Sequence, residues 1–206
     1  SIEVDPREAN SETVTFLRSI GFNRLSMGVQ DFDPKVQVAV NRIQPLDITL
    51  ETLNAARQVG FKSISIDLIY GLPFQTLSSF SNTLDVILEL SPDRLSIFNY
   101  AHMPHLFKTQ KQMNAEDMPS PAEKLLILKM IIDRLTSAGY IYIGMDHFAK
   151  PTDELAIAQK EGKLYRNFQG YSTHSDCDLV GMGLTSILQI GNIYSQNIKT
   201  ITDYQD

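Results

Sequence analysis

The sequence predicts an α/β fold in which parallel strands form part of a barrel. Four apolar runs begin just after a Gly-aromatic or Pro-Asp turn and end in polar side chains, at 21–30, 60–73, 91–100 and 139–147. A helix-like stretch precedes each run, and this alternation is typical of parallel α/β architecture. Such folds place their chemistry at the carboxyl ends of the strands, which here carry Gln30, Asp67, Asn99 and Asp146.

Local signals place the individual elements in order. Apolar runs predict strands at 2–5, 25–29, 64–70, 95–100 and 140–145. Capping side chains predict where the helices start. The caps are Ser11, Asp33 (with Pro34 as the next residue), Asp47, Thr76 or Ser78, Ser120 (in a capping box with Glu123), and Thr152 or Asp153. Residues 101–119 lack a sustained period and predict a long loop with a short helix near Leu106.

This loop suggests a division of the chain. We expect the partial barrel to occupy residues 1–119, and the last barrel helix with the start of a C-terminal extension to occupy residues 120–206. The chain opens at Ser1, without a methionine, and runs directly into a strand, so we expect it to be a fragment.

Composition and charge limit the possible partners. Of the 206 residues, 43% are hydrophobic and 20% are charged, as in an ordinary globular protein. The net charge of −6 argues against nucleic acid as a main partner, and no apolar run approaches the roughly 20 residues of a membrane span. The single cysteine, Cys177, excludes an internal disulfide and a multi-cysteine metal site, and it fits a reducing, cytoplasmic compartment.

Polar residues at the strand ends indicate a ligand site. An uncompensated carboxylate inside a barrel costs several kcal/mol, so Glu3 and Asp67 are expected to meet water or a polar ligand together with Gln30. The structural alternative is that Asp67 caps a neighbouring loop and Glu3 pairs with an arginine. Arg42 could clamp a carboxylate or phosphate, or it could be a solvated surface residue. The histidines do not form a metal-binding pattern, and no metal site is predicted.

Several strings of this sequence closely resemble one known family, the oxygen-independent coproporphyrinogen III oxidases of bacterial haem synthesis. These are radical S-adenosylmethionine (SAM) enzymes. The strings are IEVDPR at 2–7, NRLSMGVQDF at 23–32, IDLIYGLP at 66–73, FNYAH at 98–102, GMDHFA at 144–149 and RNFQGY at 166–171. The resemblance covers essentially the whole chain.

The resemblance implies a fold and a set of site residues. The family has a (β/α)6 three-quarter barrel of the TIM type, of which this chain would hold the last four strands. The residues that match the site of the cluster-bound SAM molecule are Glu3, Gln30, Arg42 and Asp67. Those that match the site of a second SAM molecule are Ala101, Gln169 and Ile187.

The resemblance also implies a reaction. The family oxidatively decarboxylates two propionate side chains of coproporphyrinogen III to vinyl groups, which yields protoporphyrinogen IX. A 5′-deoxyadenosyl radical abstracts hydrogen from the propionate carbon attached to the ring. An electron donor and an electron acceptor would be further partners, and the full-length protein would be a monomer.

One departure from the family concerns the 4Fe–4S cluster. The family holds it with cysteines in a C-x-x-x-C-x-x-C pattern, which this sequence lacks, and Cys177 alone cannot replace them. We therefore expect the parent protein, and not this chain, to bind the cluster and to be active.

Two other functions stay open at this point. A haem-binding chaperone would share the fold and SAM site without the decarboxylation. An unrelated barrel enzyme, such as an aldolase, would require a Schiff-base lysine inside a strand, whereas Lys62 lies at a strand start.

Overall fold

The computed structural model describes residues 1–168 and 170–205. The chain divides into two compact units, Ser1–Gln159 and Lys160–Asp206. The first unit contains a six-stranded sheet in the order β1-β2-β3-β4-β6-β5. Its strands are β1 (Ile2–Val4), β2 (Arg24–Gln30), β3 (Ser63–Tyr70), β4 (Arg94–Asn99), β5 (Ile141–Gly144) and β6 (His147–Ala149).

The first four strands are parallel to one another, as the repeated pattern predicts. The helices that connect or follow them are α1 (Ser11–Ser19), α2 (Pro34–Ala39), α3 (Leu46–Gln58), α4 (Leu77–Leu90), α5 (Pro121–Ser137) and α6 (Glu154–Lys160). The predicted loop at 101–119 contains two short 3₁₀ helices, Lys108–Gln112 and Ala115–Asp117, which lie after Leu106 rather than around it.

The fourth apolar run, at 139–147, does not form another parallel strand, and that expectation was wrong. β5 and β6 form an antiparallel hairpin, and β6 pairs antiparallel with β4. The turn between them is too short for the crossover that a parallel pair requires, and Met145 there has a φ of 48°. Asp146 therefore lies in a hairpin turn and not at the carboxyl end of a barrel strand.

Most of the predicted helix caps are confirmed by hydrogen bonds. Asp33 accepts from the backbone of Lys35 and Val36, and Ser120 forms its capping box with Glu123. Two further alternatives are decided. Thr76 rather than Ser78 caps α4, and Asp153 rather than Thr152 accepts from the Leu155 amide at the start of α6.

Two predicted caps were wrong. The cap of α1 is Asn10, whose Oδ1 lies 2.9 Å from the Thr13 nitrogen, and Ser11 is already the first helical residue. Asp47 lies in the first turn of α3, where Pro45 precedes the helix and no side chain caps it. Both positions are polar residues beside the true boundary, which local sequence places only to within a residue or two.

The two faces of the parallel sheet differ in polarity. One face packs against helices and forms the core, with Met27, Ile66 and Leu95 fully buried. The opposite face carries polar side chains, which are Glu3, Ser26, Ser65, Asp67 and Ser96. This polar face holds the candidate site.

The predicted division at 119/120 differs from the compact units. α5 packs on α4 and β3 and so belongs to the first unit, although the domain prediction grouped it with the extension. The domain assignment itself stays a prediction.

The described residues of the second unit form two short antiparallel strand pairs and a helix. The strand pairs are β7 (Tyr165–Asn167) with β8 (Gly170–Ser172), and β9 (Ile187–Ile190) with β10 (Ile193–Gln196). The helix is α7 (Ile201–Gln205). In the part of the chain that the structure describes, no helix has the length and apolar character needed to cross a membrane.

Candidate functional site

Polar side chains from all four parallel strands lie on one face of the sheet. Glu3 of β1 pairs in register with Ser26 of β2, and Asp67 of β3 pairs with Ser96 of β4. Ser26 also pairs with Ser65, and paired residues point to the same face. The structure therefore brings Glu3 and Asp67 together on this face, where the sequence placed them.

Asp67 is a half-buried carboxylate with hydroxyl partners. The Ser26 hydroxyl donates to Asp67 Oδ2 across 3.0 Å. Burial raises the pKa of Asp67, and the nearby Glu3 carboxylate raises it further, while hydrogen bonds from Ser96, Ser26 and Ser65 lower it. These strand serines, rather than a loop backbone, are the partners of Asp67.

Arg42 points back to the strands from the loop that follows α2. Its Nη1 lies 3.0 Å from Asp5 Oδ2, and its Nη2 lies 2.7 Å from the Gly28 carbonyl oxygen. Only 20% of the side chain is exposed, so Arg42 is not the solvated arginine of the structural alternative. Its Nε is buried and has no hydrogen-bond partner among the described residues.

Asp5 is a central residue that the sequence analysis missed. Arg7 donates to both of its carboxylate oxygens, with Nη2 at 2.7 Å from Oδ2. The hydrogen bond from the Arg7 side chain lowers the pKa of Asp5 to about 2, against the opposing effect of burial. The available signal was an aspartate directly after β1, followed two residues later by an arginine.

Gln30 ends β2 in an unusual backbone conformation. Its φ is 72°, and the pairing of β2 with β3 shifts register between Gly28 and Gln30. A Cβ on Gly28 would lie 3.0 Å from Gln30 Nε2 and 3.3 Å from Arg42 Nη2. Gly28 therefore provides the space in which the amide of Gln30 and the guanidinium of Arg42 lie close together.

A buried polar network supports the loops that carry these residues, and sequence reasoning missed it as well. Asp31, only 1% exposed, accepts from the Thr83 hydroxyl at 2.6 Å and from the Gln75 amide. Gln75 in turn accepts from the backbone of Gly71 and Leu72. Burial raises the pKa of Asp31. The network joins the carboxyl end of β2 to the loop after β3.

The residues predicted for a second SAM molecule belong to different units of the chain. Ala101 is exposed after β4 in the first unit, and its carbonyl accepts from Gln110. Ile187 begins β9 in the second unit. Gln169 lies outside the described residues. Their joint role stays a prediction.

The residues of this chain do not fit an iron–sulfur cluster. Cys177 is the only cysteine, and it is exposed. Within residues 1–168 and 170–205, no group of three His, Cys, Asp or Glu side chains could hold a metal ion. A cluster of the 4Fe–4S type requires several cysteine thiolates. The polar strand face, with the unpartnered Arg42 Nε, does fit a small ligand that carries hydroxyl and carboxylate groups.

Comparisons with known proteins agree with this picture. The sequence model of the Radical SAM superfamily matches residues 1–87. An oxygen-independent coproporphyrinogen III oxidase of Pseudomonas aeruginosa is 57% identical over 204 residues, which cover 99% of this chain and 44% of the relative. A protein of the same name from Thermostichus vulcanus is 53% identical, with 63% of its length covered.

A solved structure matches the fold as well. It is described as the coproporphyrinogen III oxidase of Escherichia coli, a radical SAM enzyme, and it superposes with a TM-score of 0.97 at 56% identity. The match covers 99% of this chain and 47% of that chain, so this chain spans somewhat less than half of that relative. In sequence and in fold, the chain is therefore similar along nearly its whole length to oxygen-independent coproporphyrinogen III oxidases, and residues 1–87 match the Radical SAM superfamily.

Proposed function

We propose that this chain supplies the SAM-binding strands of an oxygen-independent coproporphyrinogen III oxidase. The whole protein would convert coproporphyrinogen III to protoporphyrinogen IX by oxidative decarboxylation of two propionates. The observation that carries the proposal is the identity of 57% along 99% of the chain with a relative of that name. The polar strand face, which has groups suited to SAM, supports it.

The candidate ligand-binding residues at that face have roles that follow from their chemistry. The guanidinium of Arg42 holds the carboxylate of SAM, because it is positively charged and keeps a donor unused. The carboxylates of Glu3 and Asp67 and the amide of Gln30 bind the ribose hydroxyls and the ammonium group. When bound, SAM supplies the radical chemistry for the loss of carbon dioxide.

Further parts of the proposal concern the whole protein. A second SAM molecule would be held by Ala101, Gln169 and Ile187. Since this chain has a single cysteine, we propose that the cluster is bound by another part of the protein and that this chain alone is inactive. The protein would act as a cytoplasmic monomer with an electron donor and an electron acceptor.

A chimera tests the function directly. The segment of the Escherichia coli oxidase that matches this chain is replaced by residues 1–206, and the purified protein is reconstituted with iron and sulfide without oxygen. The expected result is protoporphyrinogen IX, formed from coproporphyrinogen III and SAM and measured by porphyrin fluorescence after oxidation. A chimera with Arg42→Ala should lose most of this activity, whereas Arg18→Ala, which removes the same charge from α1, should keep it.

A chimera that forms no product would point to a different function. A chimera that folds and binds the cluster but forms no product would contradict the oxidase function. Binding and transfer of haem by that chimera would then favour the chaperone function. The names of the relatives favour the oxidase.

A further inference from the structure

One carboxylate, that of Asp5, is shared by two arginines that lie far apart in the sequence. Arg7 reaches it from the turn after β1, with contacts of 3.1 Å from Nε to Oδ1 and 2.7 Å from Nη2 to Oδ2. Arg42 reaches the same Oδ2 at 3.0 Å. The three side chains form a row in the order Arg7, Asp5, Arg42.

The charges in this row do not cancel. A pair of Asp5 and Arg42 alone would be neutral, and a neutral pair attracts an anion only weakly. With Arg7 present, two positive charges face one negative charge, and the row keeps a net charge of +1. An aspartate is ionised at neutral pH, and the hydrogen bond from Arg7 strengthens this by lowering the pKa of Asp5 to about 2.

The orientation of Arg42 is set by the same contacts. Nη1 donates to Asp5 and Nη2 donates to the Gly28 carbonyl oxygen, and these two contacts fix the plane of the guanidinium. The buried Nε is left without a partner among the described residues. Each terminal nitrogen carries a second N–H, so Arg42 keeps donors beyond these two contacts, while the row of three side chains keeps its net positive charge.

We propose that Arg7 is a positioning residue for ligand binding, which acts through Asp5 on Arg42. Arg7 neutralises Asp5, so that Asp5 can orient Arg42 without cancelling the charge that Arg42 offers to the carboxylate of SAM. This inference rests on the proposed function, in which Arg42 binds that carboxylate. It predicts that Arg7 matters only for ligands that carry a carboxylate.

Two ligands and six variants of the full 206-residue chain test this inference. Dissociation constants are measured by NMR titration of ¹⁵N-labelled protein with SAM and with 5′-methylthioadenosine, which lacks the amino-acid carboxylate. The variants are Arg7→Gln, Arg7→Lys, Arg42→Gln, Asp5→Asn, Asp5→Asn combined with Arg7→Gln, and the control Arg18→Gln. Arg18 carries the same charge but contacts the Gly60 carbonyl, away from the row.

We expect the variants of the row to weaken the binding of SAM but not that of 5′-methylthioadenosine. Arg7→Gln weakens SAM binding by about fivefold, Arg42→Gln weakens it more, and both leave the binding of 5′-methylthioadenosine within about twofold of the unmodified chain. Compared with Arg7→Gln, Arg7→Lys restores part of the SAM affinity. The lysine restores the positive charge but not the contact of a guanidinium with both carboxylate oxygens of Asp5. In a chain that already carries Asp5→Asn, Arg7→Gln has no further effect on SAM.

The failures of the two proposals are distinguishable. If the unmodified chain does not bind SAM, or if Arg42→Gln leaves its binding unchanged, the proposed role of Arg42 is wrong and the inference with it. If Arg42→Gln weakens SAM binding but Arg7→Gln behaves like Arg18→Gln, only the inference is overturned. It is also overturned if Arg7→Gln weakens both ligands equally, since that would indicate a general structural role.

Discussion

At the scale of single residues, the polar face depends on close approaches that only particular side chains permit. Gly28 is needed for space and not for its backbone, because its φ is not positive and the nearest neighbours of an added Cβ are Gln30 Nε2 and Arg42 Nη2. Both of these atoms are ends of flexible side chains. A methyl group there would move the candidate ligand-binding groups before it disturbed the fold.

We expect Gly28→Ala to separate binding from stability. The variant should change the free energy of unfolding by less than about 1 kcal/mol, while its affinity for SAM falls severalfold. Gly60→Ala is the matched control with the opposite result. Its φ of 80° strains any other residue, although nothing lies within 4 Å. It should lose about 1 kcal/mol of stability and keep its ligand affinity. Urea unfolding and NMR titration measure the two quantities.

The raised pKa of Asp67 has a consequence for stability. Because burial raises it above the ordinary value of 3.8, the folded chain binds this proton more tightly than the unfolded chain does. Stability therefore falls as the pH rises from about that value through the folded pKa, and the loss persists at neutral pH.

The variant Asp67→Asn should consequently be more stable than the unmodified chain at pH 7, and this advantage should shrink as the pH falls to about 3.8. Urea unfolding at both pH values measures the difference. The exposed Asp133, changed to Asn, removes the same charge from α5 and serves as the control for the change in net charge. A lower stability of Asp67→Asn at pH 7 would contradict the explanation.

At the scale of elements, α6 is attached to the amino ends of the strands by an ion network. Arg94 at the start of β4 contacts Asp153 at 2.8 Å and Glu154 at 2.9 Å. Arg24 at the start of β2 contacts the same Glu154. Asp153 is 8% exposed and also accepts from Ser63 and from the Leu155 amide. These contacts lie at the end of the sheet opposite to the candidate site.

Removing Asp153 should therefore destabilise the first unit. Asp153→Ala leaves the half-buried guanidinium of Arg94 with one carboxylate partner and removes the cap of α6, so we expect a loss of about 3 kcal/mol in the free energy of unfolding. Lys163→Gln breaks an exposed ion pair with Glu161 and should leave the unfolding midpoint unchanged. An Asp153→Ala variant as stable as Lys163→Gln would show that the network contributes nothing.

At the scale of the whole molecule, the two compact units differ in burial. The first contains a large apolar core that includes Ile66, Phe80 and Ile131, each fully buried. In the second, none of the residues at 160–168 and 170–205 reaches the buried class. Apolar burial is the main stabilising contribution to folding, so the intrinsic stability of the two units should differ widely.

Hydrogen exchange should detect this difference directly. Amides of β3 are expected to exchange only on global unfolding, with protection at least about 10³-fold greater than that of amides in β9. Mass spectrometry of the 206-residue chain after pulses in deuterium oxide measures both strands in one sample. Equal protection in β3 and β9 would contradict the expected difference.

Much of the fold and part of the candidate site could be predicted because their signals are local. The parallel strands follow from apolar runs between turn residues, and caps such as Ser120 follow from their spacing to Glu123. The polar ends at Glu3, Gln30 and Asp67 were visible for the same reason. The hairpin of β5 and β6 was not, since an apolar run does not reveal whether its partner is parallel or antiparallel.

By itself, the sequence determined the α/β class, the four parallel strands, the absence of cluster cysteines and the family to which the chain is similar. Only the tertiary structure decided how the site is held. Asp5 meets Arg42 across 37 positions of the chain, and Asp31 meets Thr83 across 52. Such contacts depend on how strands and loops pack in three dimensions, and no local pattern of residue types encodes which charges will share a partner.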